Sequence, residues 1–182
     1  MERLKRVFAA VRLPDEVRLA LADRLSTLSV PGRAAPPDNW HLTLRFLGIV
    51  DEPTLDRFVA ALDMSDLGDP FRLVLEGLGA FPRPGNATVL WVGIGGDLES
   101  LADLSAVVEE CAVGAGLDGE ERPFSPHLTL SRIRPPEDVS ELISDAPEFG
   151  LGWECQELIV YRSHLGGGPA RYEPLETITL GR

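Results

Sequence analysis

Two histidines occur in the same four-residue sequence, His-Leu-Thr-Leu, at His41–Leu44 and again at His127–Leu130. The chain has one further histidine, His164. In a β-strand, the histidine and the threonine of each motif would point to the same face, since side chains alternate with a period of two. Imidazole gains or loses a proton near neutral pH, and a threonine hydroxyl can donate a hydrogen bond to an oxyanion. The motifs therefore predict two strands that present acid–base groups to one substrate.

Two opposed imidazoles suit the hydrolysis of a phosphodiester. One takes the proton from water, and the other protonates the departing oxygen. In-line displacement places the nucleophile and the leaving group on opposite sides of phosphorus, so histidines on two facing strands fit better than two on one strand. We predict His41 and His127 as the catalytic residues. Thr43 and Thr129 are predicted to bind the non-bridging phosphate oxygens, whose charge must be stabilised in the transition state.

Other interpretations of the histidines remain open at this point. A single histidine of this kind is more often a half-buried strand residue, but two identical motifs favour function. In one alternative, His164 is the third ligand of a zinc ion that His41 and His127 also bind. Threonine is a poor zinc ligand, and the sequence contains no His-Glu-x-x-His or Cys-x-x-Cys motif. We therefore predict no metal site and rank a zinc hydrolase last.

The surrounding pattern predicts the elements that position the motifs. Apolar residues at alternate positions indicate that Leu42, Leu44 and Phe46 face a core, as do Leu128 and Leu130. The order is β-α-β-α-β-β-α-β-α-β-β. The predicted strands are about 6–13, 41–48, 71–76, 87–94, 127–134, 153–162 and 172–180, and the predicted helices are about 15–29, 51–62, 97–114 and 138–144. Recurring strand–helix–strand units suggest an internal duplication, with two α+β lobes that each contribute one catalytic strand.

Composition limits the class of protein. The chain has 182 residues, 44% of them hydrophobic, which is enough for one domain of two packed lobes. A formal net charge of −12 argues against broad adhesion to nucleic acid or anionic membrane. Cys111 and Cys155 have neither metal-ligand nor disulfide-framework spacing, which is typical of a reducing compartment. Residues 1–5 lead into a strand and not into an apolar signal segment. We expect a cytoplasmic protein.

The motifs in their surroundings resemble the two-histidine (2H) phosphoesterase superfamily. The similar stretches are RVFAAVRLP near the N-terminus, HLTLRFLG at 41–48, GLGAFPRP and VLWVGI in a predicted hairpin, RPFSPHLTLSR at 122–132, and VYRSHLGGGPARYEPL at 160–175. They cover nearly the whole chain. They are most similar to the bacterial and archaeal RNA 2′,3′-cyclic phosphodiesterase branch, historically labelled 2′-5′ RNA ligase.

The resemblance implies a fold and a reaction. The implied fold is α+β, and residues 1–182 form a single bilobal domain. Two pseudo-symmetric lobes with antiparallel sheets line a central V-shaped cleft, and the helices lie on the outside. The reaction opens RNA 2′,3′-cyclic phosphate ends to 2′-phosphate without metal or other cofactor. It implies that His41 is the general acid, His127 the general base, and Thr43 and Thr129 the phosphate-binding residues. Reverse 2′-5′ ligation is implied as a weak side activity.

Further substrate-binding candidates are Arg132, Arg45, Tyr161 and Ser163. Arg132 ends the second motif as the family's arginine does, but strict alternation would put it on the apolar face unless the strand bulges near Ser131. Arg45 has the favourable parity, on the face of His41. Tyr161 and Ser163 resemble the family's late cleft-edge segment. His164 beside them is predicted to lie in a loop, and Phe46 in the core rather than on a base-stacking surface.

The motifs leave the substrate open. The expected partners are RNA ends or nucleotides that carry 2′,3′-cyclic phosphate, with no membrane and no obligate protein partner, and the expected oligomeric state is a monomer. The alternatives are a 2H enzyme that acts on small cyclic phosphates or 2′-5′ oligonucleotides, and a non-catalytic module that binds RNA ends. The acidic net charge favours recognition of a small ligand or of an RNA end only, because a long RNA track needs a basic groove.

Overall fold

The computed structural model describes residues 4–181. The predicted absence of a signal segment falls partly on residues 1–3, which lie outside this range. The strands are β1 (Lys5–Arg12), β2 (Arg33–Ala34), β3 (His41–Val50), β4 (Phe71–Phe81), β5 (Ala87–Gly96), β6 (His127–Glu137), β7 (Leu151–Cys155), β8 (Glu157–His164) and β9 (Arg171–Thr179). The helices are α1 (Asp15–Leu25), α2 (Glu52–Met64), α3 (Leu98–Gly114) and α4 (Ser140–Asp145). None of the helices in residues 4–181 is long and apolar enough to cross a membrane.

The strands form one curled antiparallel sheet in two halves. Its order is β7-β4-β5-β6-β3-β1-β8-β9, and the short β2 pairs with β6. The half that carries His127 is β7-β4-β5-β6, and the half that carries His41 is β3-β1-β8-β9. The halves meet where β3 pairs with β6, with Leu42 opposite Leu128. This architecture confirms the predicted α+β fold; that residues 1–182 form one domain stays a prediction.

The helix boundaries follow from local hydrogen bonds. Asp51 caps α2 by accepting from the Thr54 amide at 2.9 Å, and Asp97 caps α3 by accepting from the Ser100 amide at 3.0 Å. Helix α1 ends at Leu25, earlier than predicted, because the Ser26 and Thr27 hydroxyls donate to backbone carbonyls three residues back and so compete with further helical turns.

One continuous core fills the space between the helices and one face of the sheet. It contains fully buried side chains from both histidine strands, Leu42 and Leu128, and from the helices, such as Phe58 and Leu101. On the opposite face of the sheet lies a smaller apolar cluster of Phe8, Ala10, Ile159 and Tyr161, with Tyr172 packed against it. The leucines of each motif thus face the core, and the histidines lie on the opposite face of the sheet. We call this opposite face the cleft face.

A β-bulge interrupts β3 at the fourth residue of its motif. Thr43 lies opposite Ala10, whereas Arg45 lies opposite Ala9, so Leu44 has no partner in β1. Because residues directly opposite each other share a face, Arg45 joins Ala9 on the core side. A bulge adds one residue to one strand and reverses the alternation beyond it.

The same irregularity occurs in β6. Thr129 lies opposite Trp91, and Ser131 lies opposite Leu90, which leaves Leu130 without a partner in β5. Leu130 and Ser131 are both buried, and the next residue, Arg132, is exposed. The strand bulge that Arg132 requires in order to reach the cleft face is therefore present.

Several predicted boundaries are wrong. The predicted strand 153–162 is two strands separated by Gln156, because β7 pairs with β4 at one edge and β8 with β1 in the other half. His164 belongs to β8, opposite Arg171, and not to a loop. Strand β3 continues through Gly48, and β6 continues through Pro135, since the ladder extends beyond both residues.

Candidate active site

The two motifs meet at the junction of the halves. Leu42 and Leu128 are directly opposite in antiparallel register, so the residues that flank them are neighbours on the cleft face. The antiparallel direction of the strands about this bridge places His41 on the side of Thr129 and Thr43 on the side of His127. The result is a pseudo-symmetric set of two imidazoles and two hydroxyls.

Each histidine makes the same hydrogen bond to its own chain. The Nδ1 atom of His41 lies 2.7 Å from the carbonyl oxygen of Asn39, and Nδ1 of His127 lies 2.7 Å from that of Ser125. A carbonyl oxygen only accepts, so Nδ1 carries the proton and donates in both. The partner of Nδ1 fixes the tautomer of an imidazole. Nε2 is thus left in each ring as the atom that accepts or donates a proton.

Aromatic rings surround His41. Its ring centroid lies 4.8 Å from that of Phe8 and 5.2 Å from that of Tyr172, which meets it edge-on at 86°. Tyr161 in turn stacks on Phe8 at 5.3 Å. Such packing fixes the imidazole plane and excludes water from one side of it.

His127 has an equivalent aromatic wall on the other half. Phe81 meets it edge-on at 4.9 Å, and Trp91 lies at 6.3 Å. The indole ring of Trp91 lies over Gly79, where an added Cβ would stand 2.1 Å from it. Gly79 therefore creates the space that allows Trp91 to approach His127.

Burial is the main influence on His41. Removal from water lowers the pKa of His41, the Asn39 carbonyl opposes this by raising it, and the nearby charge of His127 lowers it further. The free protein accordingly favours neutral His41 at neutral pH. The influence of His127 also means that the two imidazoles lie within electrostatic range of each other.

Positive charge gathers on the cleft face although the chain is acidic overall. Burial raises the pKa of Tyr172, and the charges of Arg132 and Arg6 lower it. Arg132 belongs to the half of His127, whereas Tyr172 packs against His41, so the guanidinium acts across the junction. Arg12, opposite His41 in β1, forms an ion pair with Glu157 at 3.6 Å and so adds little net charge. The charges of Arg132 and Arg6 suit an anionic ligand in a protein of net charge −12.

The structure places most of the predicted binding residues near the histidines. Tyr161 lies on the cleft face against Phe8, and Ser163 lies opposite Tyr172 in the β8–β9 ladder. Arg132 reaches the same face beyond the bulge. Whether these side chains bind substrate stays a prediction.

Arg45 is placed elsewhere. Its side chain is on the core side of the sheet, where it forms an ion pair with Glu109 of α3, a second with Glu120 at 3.8 Å, and a hydrogen bond to the Asp118 carbonyl. The prediction that it shares a face with His41 is wrong, because the bulge at Leu44 reverses the alternation. The same reversal turns Phe46 out of the core, where it was predicted, and leaves 57% of it exposed.

Sequence reasoning missed the aromatic walls. Phe8, Tyr172, Phe81 and Trp91 belong to other strands, and only the pairing of strands brings them to the histidines. All four lie in stretches that carry the family resemblance, which is the signal that pointed to them. Asn39 was also missed: its carbonyl accepts from His41, and its side-chain amide donates to the Ala170 carbonyl at 2.6 Å.

The third histidine, His164, interacts with a carboxylate and not with the two motifs. Nε2 of His164 lies 2.6 Å from a carboxylate oxygen of Glu173. Over residues 4–181, the structure contains no group of three His, Cys, Asp or Glu side chains arranged to hold a metal ion.

Comparisons with known proteins agree with this geometry. The model of the 2′-5′ RNA ligase superfamily matches residues 13–167. The chain belongs to this family. Among similar proteins named RNA 2′,3′-cyclic phosphodiesterase, that of Escherichia coli is 31% identical over 99% of both chains. That of Thermus thermophilus is 34% identical over 96% of this chain and 90% of the other, and that of Aeropyrum pernix is 38% identical over 73% and 76%.

Solved structures of the family have the same fold. E. coli LigT in apo form superimposes over all of both chains with a TM-score of 0.85 at 29% identity. E. coli LigT complexed with 3′-AMP gives a TM-score of 0.83 at 29% identity, over 99% of this chain and 100% of the other. These matches confirm the family and the fold that were predicted from the sequence.

Proposed function

We propose that this protein hydrolyses RNA 2′,3′-cyclic phosphate ends to 2′-phosphate ends by two-histidine acid–base catalysis. The observation that carries the proposal is the pair of His-x-Thr motifs at the junction of β3 and β6, each with Nδ1 tied to the backbone and Nε2 free. The name shared by the bacterial and archaeal relatives supports the same activity.

The reaction needs one proton accepted and one donated. Nε2 of His127 takes a proton from water, whose oxygen forms a bond to phosphorus. The P–O3′ bond breaks on the opposite side, and Nε2 of His41 donates a proton to O3′. The phosphate stays on O2′. The histidines end the step with exchanged protonation states, and exchange with solvent restores them.

The remaining groups serve the phosphate. The hydroxyls of Thr43 and Thr129 are suited to donate to the non-bridging oxygens, and the Arg132 guanidinium supplies positive charge. Thr43→Ala and Thr129→Ala should each reduce turnover less than loss of a histidine does. Tyr161 and Ser163 would line the ribose side of the same cleft face.

Substrate binding prepares His41 for its role. Burial keeps the pKa of His41 low in the free protein, whereas an acid must carry a proton. A bound cyclic phosphate brings a negative charge next to the imidazole and raises its pKa. The acid thus becomes protonated when the substrate is present.

A second candidate acts on smaller molecules. The net charge of −12 favours recognition of one or a few nucleotides over a long RNA track, because a long track needs a basic groove. Small cyclic phosphates or 2′-5′ oligonucleotides would then be the substrates of the same chemistry. Weak 2′-5′ ligation would use the same groups, with the 5′-hydroxyl of a second RNA in place of water as the nucleophile and O3′ again as the leaving group. We propose a monomer, because one chain supplies both histidines, and a cytoplasmic location.

The test uses a short RNA that ends in 2′,3′-cyclic phosphate, incubated with the protein in excess EDTA, with the product end identified. Conversion to a 2′-phosphate that His127→Ala abolishes would support the proposal. Turnover of cyclic mononucleotides alone would favour the second candidate. Binding of the RNA end without turnover of either would favour a non-catalytic module, and loss of activity in EDTA would favour a zinc hydrolase.

A further inference from the structure

Asn39 forms hydrogen bonds to three separate parts of the chain. Its backbone amide donates to the carbonyl oxygen of Pro36 at 2.8 Å, and its own carbonyl oxygen accepts from Nδ1 of His41 at 2.7 Å. Its side-chain amide nitrogen donates to the carbonyl oxygen of Ala170 at 2.6 Å, 131 residues later in the sequence. Asn39 thus joins the turn before β3 to the connection between β8 and β9, and it also holds Nδ1 of His41.

Both sides of this link lead to His41. On one side, the carbonyl of Asn39 fixes the protonated Nδ1. On the other side, Ala170 directly precedes β9, whose Tyr172 meets the imidazole edge-on with the ring centroids 5.2 Å apart. The Asn39 side chain therefore fixes the hydrogen-bond acceptor of the imidazole relative to the ring that packs against it.

The connection between β8 and β9, residues 165–170, has few contacts of its own. Leu165 is 68% exposed, and a Cβ added to any of the three glycines at 166–168 would meet nothing within 4 Å. In the part of the chain that the structure describes, Asn39 is the only side chain that hydrogen-bonds to this connection. A segment with few buried contacts opens easily, so this hydrogen bond holds the start of β9 in place.

The other half of the sheet lacks such a link. The residue equivalent to Asn39 is Ser125, whose carbonyl accepts from Nδ1 of His127. Ser125 is exposed, and its side chain forms no hydrogen bond to the described residues 4–181. The link is therefore not a general property of the His-x-Thr motif but serves the half that carries His41.

We propose that Asn39 is a positioning residue for His41. Its side-chain amide, bonded to Ala170, holds the Asn39 carbonyl and the Tyr172 ring at a fixed separation. The imidazole between them keeps its proton on Nδ1 and its Nε2 directed at the phosphate. Misplacement of a reacting group by ~1 Å costs about 100-fold in rate. This inference rests on the proposed function, because it assigns Asn39 to the histidine that donates the proton.

The kinetic test removes the donor in two ways. Asn39→Ala deletes the side-chain amide, whereas Asn39→Asp keeps its shape but sets an acceptor against the Ala170 carbonyl. Both variants should lower kcat on an RNA 2′,3′-cyclic phosphate end by about 10- to 100-fold. KM should stay nearly unchanged, because the amide is bonded to the chain and not to the substrate.

The chain offers a matched control. Asn86 is the only other asparagine, and it ends a short 3-10 turn (Pro84–Asn86) before β5, as Asn39 ends one (Pro37–Asn39) before β3. Its side chain is exposed and forms no hydrogen bond to residues 4–181. Asn86→Ala and Asn86→Asp should therefore behave as wild type.

Nitrogen NMR of the imidazoles supplies a measurement that needs no turnover. In the wild type, the neutral rings of His41 and His127 should both carry the proton on Nδ1. In Asn39→Ala and Asn39→Asp, the ring-nitrogen shifts of His41 should move toward those of a mixture of the two tautomers. The shifts of His127 and the midpoint of urea unfolding should stay near the wild-type values.

Three results would overturn the inference. Wild-type kcat and wild-type His41 shifts in both variants would mean that the turn and the buried Trp40 hold the carbonyl without the side chain. A rise in KM at unchanged kcat would mean that the amide contacts the substrate. Equal changes at His41 and His127 would mean that Asn39 only stabilises the fold.

The NMR measurement also separates this inference from the hydrolysis proposal. If the wild type hydrolyses no cyclic phosphate but the variants change the shifts of His41 alone, the positioning role stands and the hydrolysis proposal fails. If hydrolysis proceeds and neither kcat nor the His41 shifts respond to the variants, the hydrolysis proposal stands and the positioning role fails.

Discussion

Trp91 can stand against His127 only because residue 79 has no side chain. An alanine Cβ at Gly79 would lie 2.1 Å from the indole ring, which must retreat by about 1.3 Å to regain an ordinary contact of 3.4 Å. The indole ring of Trp91 packs against both Phe81 and His127. If the indole moves, these two side chains must move with it or lose their packing against it. Overpacking of this size typically destabilises a protein by ~1–3 kcal/mol.

The catalytic effect of Gly79→Ala should exceed its effect on stability. A misplacement of ~1 Å in a reacting group costs about 100-fold in rate. We therefore expect kcat on an RNA 2′,3′-cyclic phosphate end to fall by about 10- to 100-fold, with KM nearly unchanged, while urea denaturation shows a protein that is still folded. Gly85→Ala, where an added Cβ meets nothing within 4 Å, is the matched control and should behave as wild type.

A compensating change makes the argument refutable. Trp91→Leu in the Gly79→Ala background removes the clash and should recover part of kcat. Wild-type kcat in Gly79→Ala would mean that Trp91 does not position His127. Equal loss of kcat in Gly79→Ala with and without Trp91→Leu would place the cause in the backbone of β4.

Three other outcomes are expected. His41→Ala and His127→Ala should each abolish turnover but leave circular dichroism and the unfolding midpoint near wild type; near-full activity in either variant would mean that its histidine is misassigned. In pH profiles, activity should fall at high pH as His41 loses its proton. This fall should lie at higher pH for kcat than for kcat/KM, because burial lowers the pKa of His41 in the free protein and bound phosphate raises it. Profiles in which the two falls coincide would contradict this. Arg132→Ala should lower kcat/KM by about 10-fold or more through loss of a charged contact worth ~1.5–3 kcal/mol. Arg45→Ala should instead lower the free energy of unfolding by about 1–3 kcal/mol, the cost of leaving a partner unsatisfied. The opposite pattern would mean that Arg45 binds substrate and Arg132 stabilises the fold.

The motifs carried enough information to predict the centre of the site. Periodicity of two placed Leu42 and Leu128 in the core and the histidines on the other face, and the structure has this arrangement. The prediction succeeded because both motifs precede the bulges, so strict alternation applies to them.

Beyond each bulge the alternation rule misleads. Whether Leu44 pairs with a residue of β1 is decided by the partner strand, about which the sequence around Leu44 contains no signal. Arg45 and Phe46 therefore exchange their predicted faces. The aromatic residues around the histidines likewise depend on which strands pair. The division of 153–162 into two strands depends on which edges of the sheet are free to pair with a further strand.

The order of strands in the sheet has a consequence for synthesis. All strands of the half that carries His127 come from one stretch of sequence, Phe71 to Cys155, whereas the other half pairs β1 with β8, as in Val7 opposite Arg162. The strands of the first half are complete at Cys155, whereas the second half is complete only at Thr179. The long sequence separation between β1 and β8 slows the closure of the second half. Until β8 and β9 emerge, β1 presents an unpaired edge, and such edges promote association. We expect the nascent chain to be inactive and most prone to aggregation during this interval, since Tyr172 reaches His41 only with the last strand.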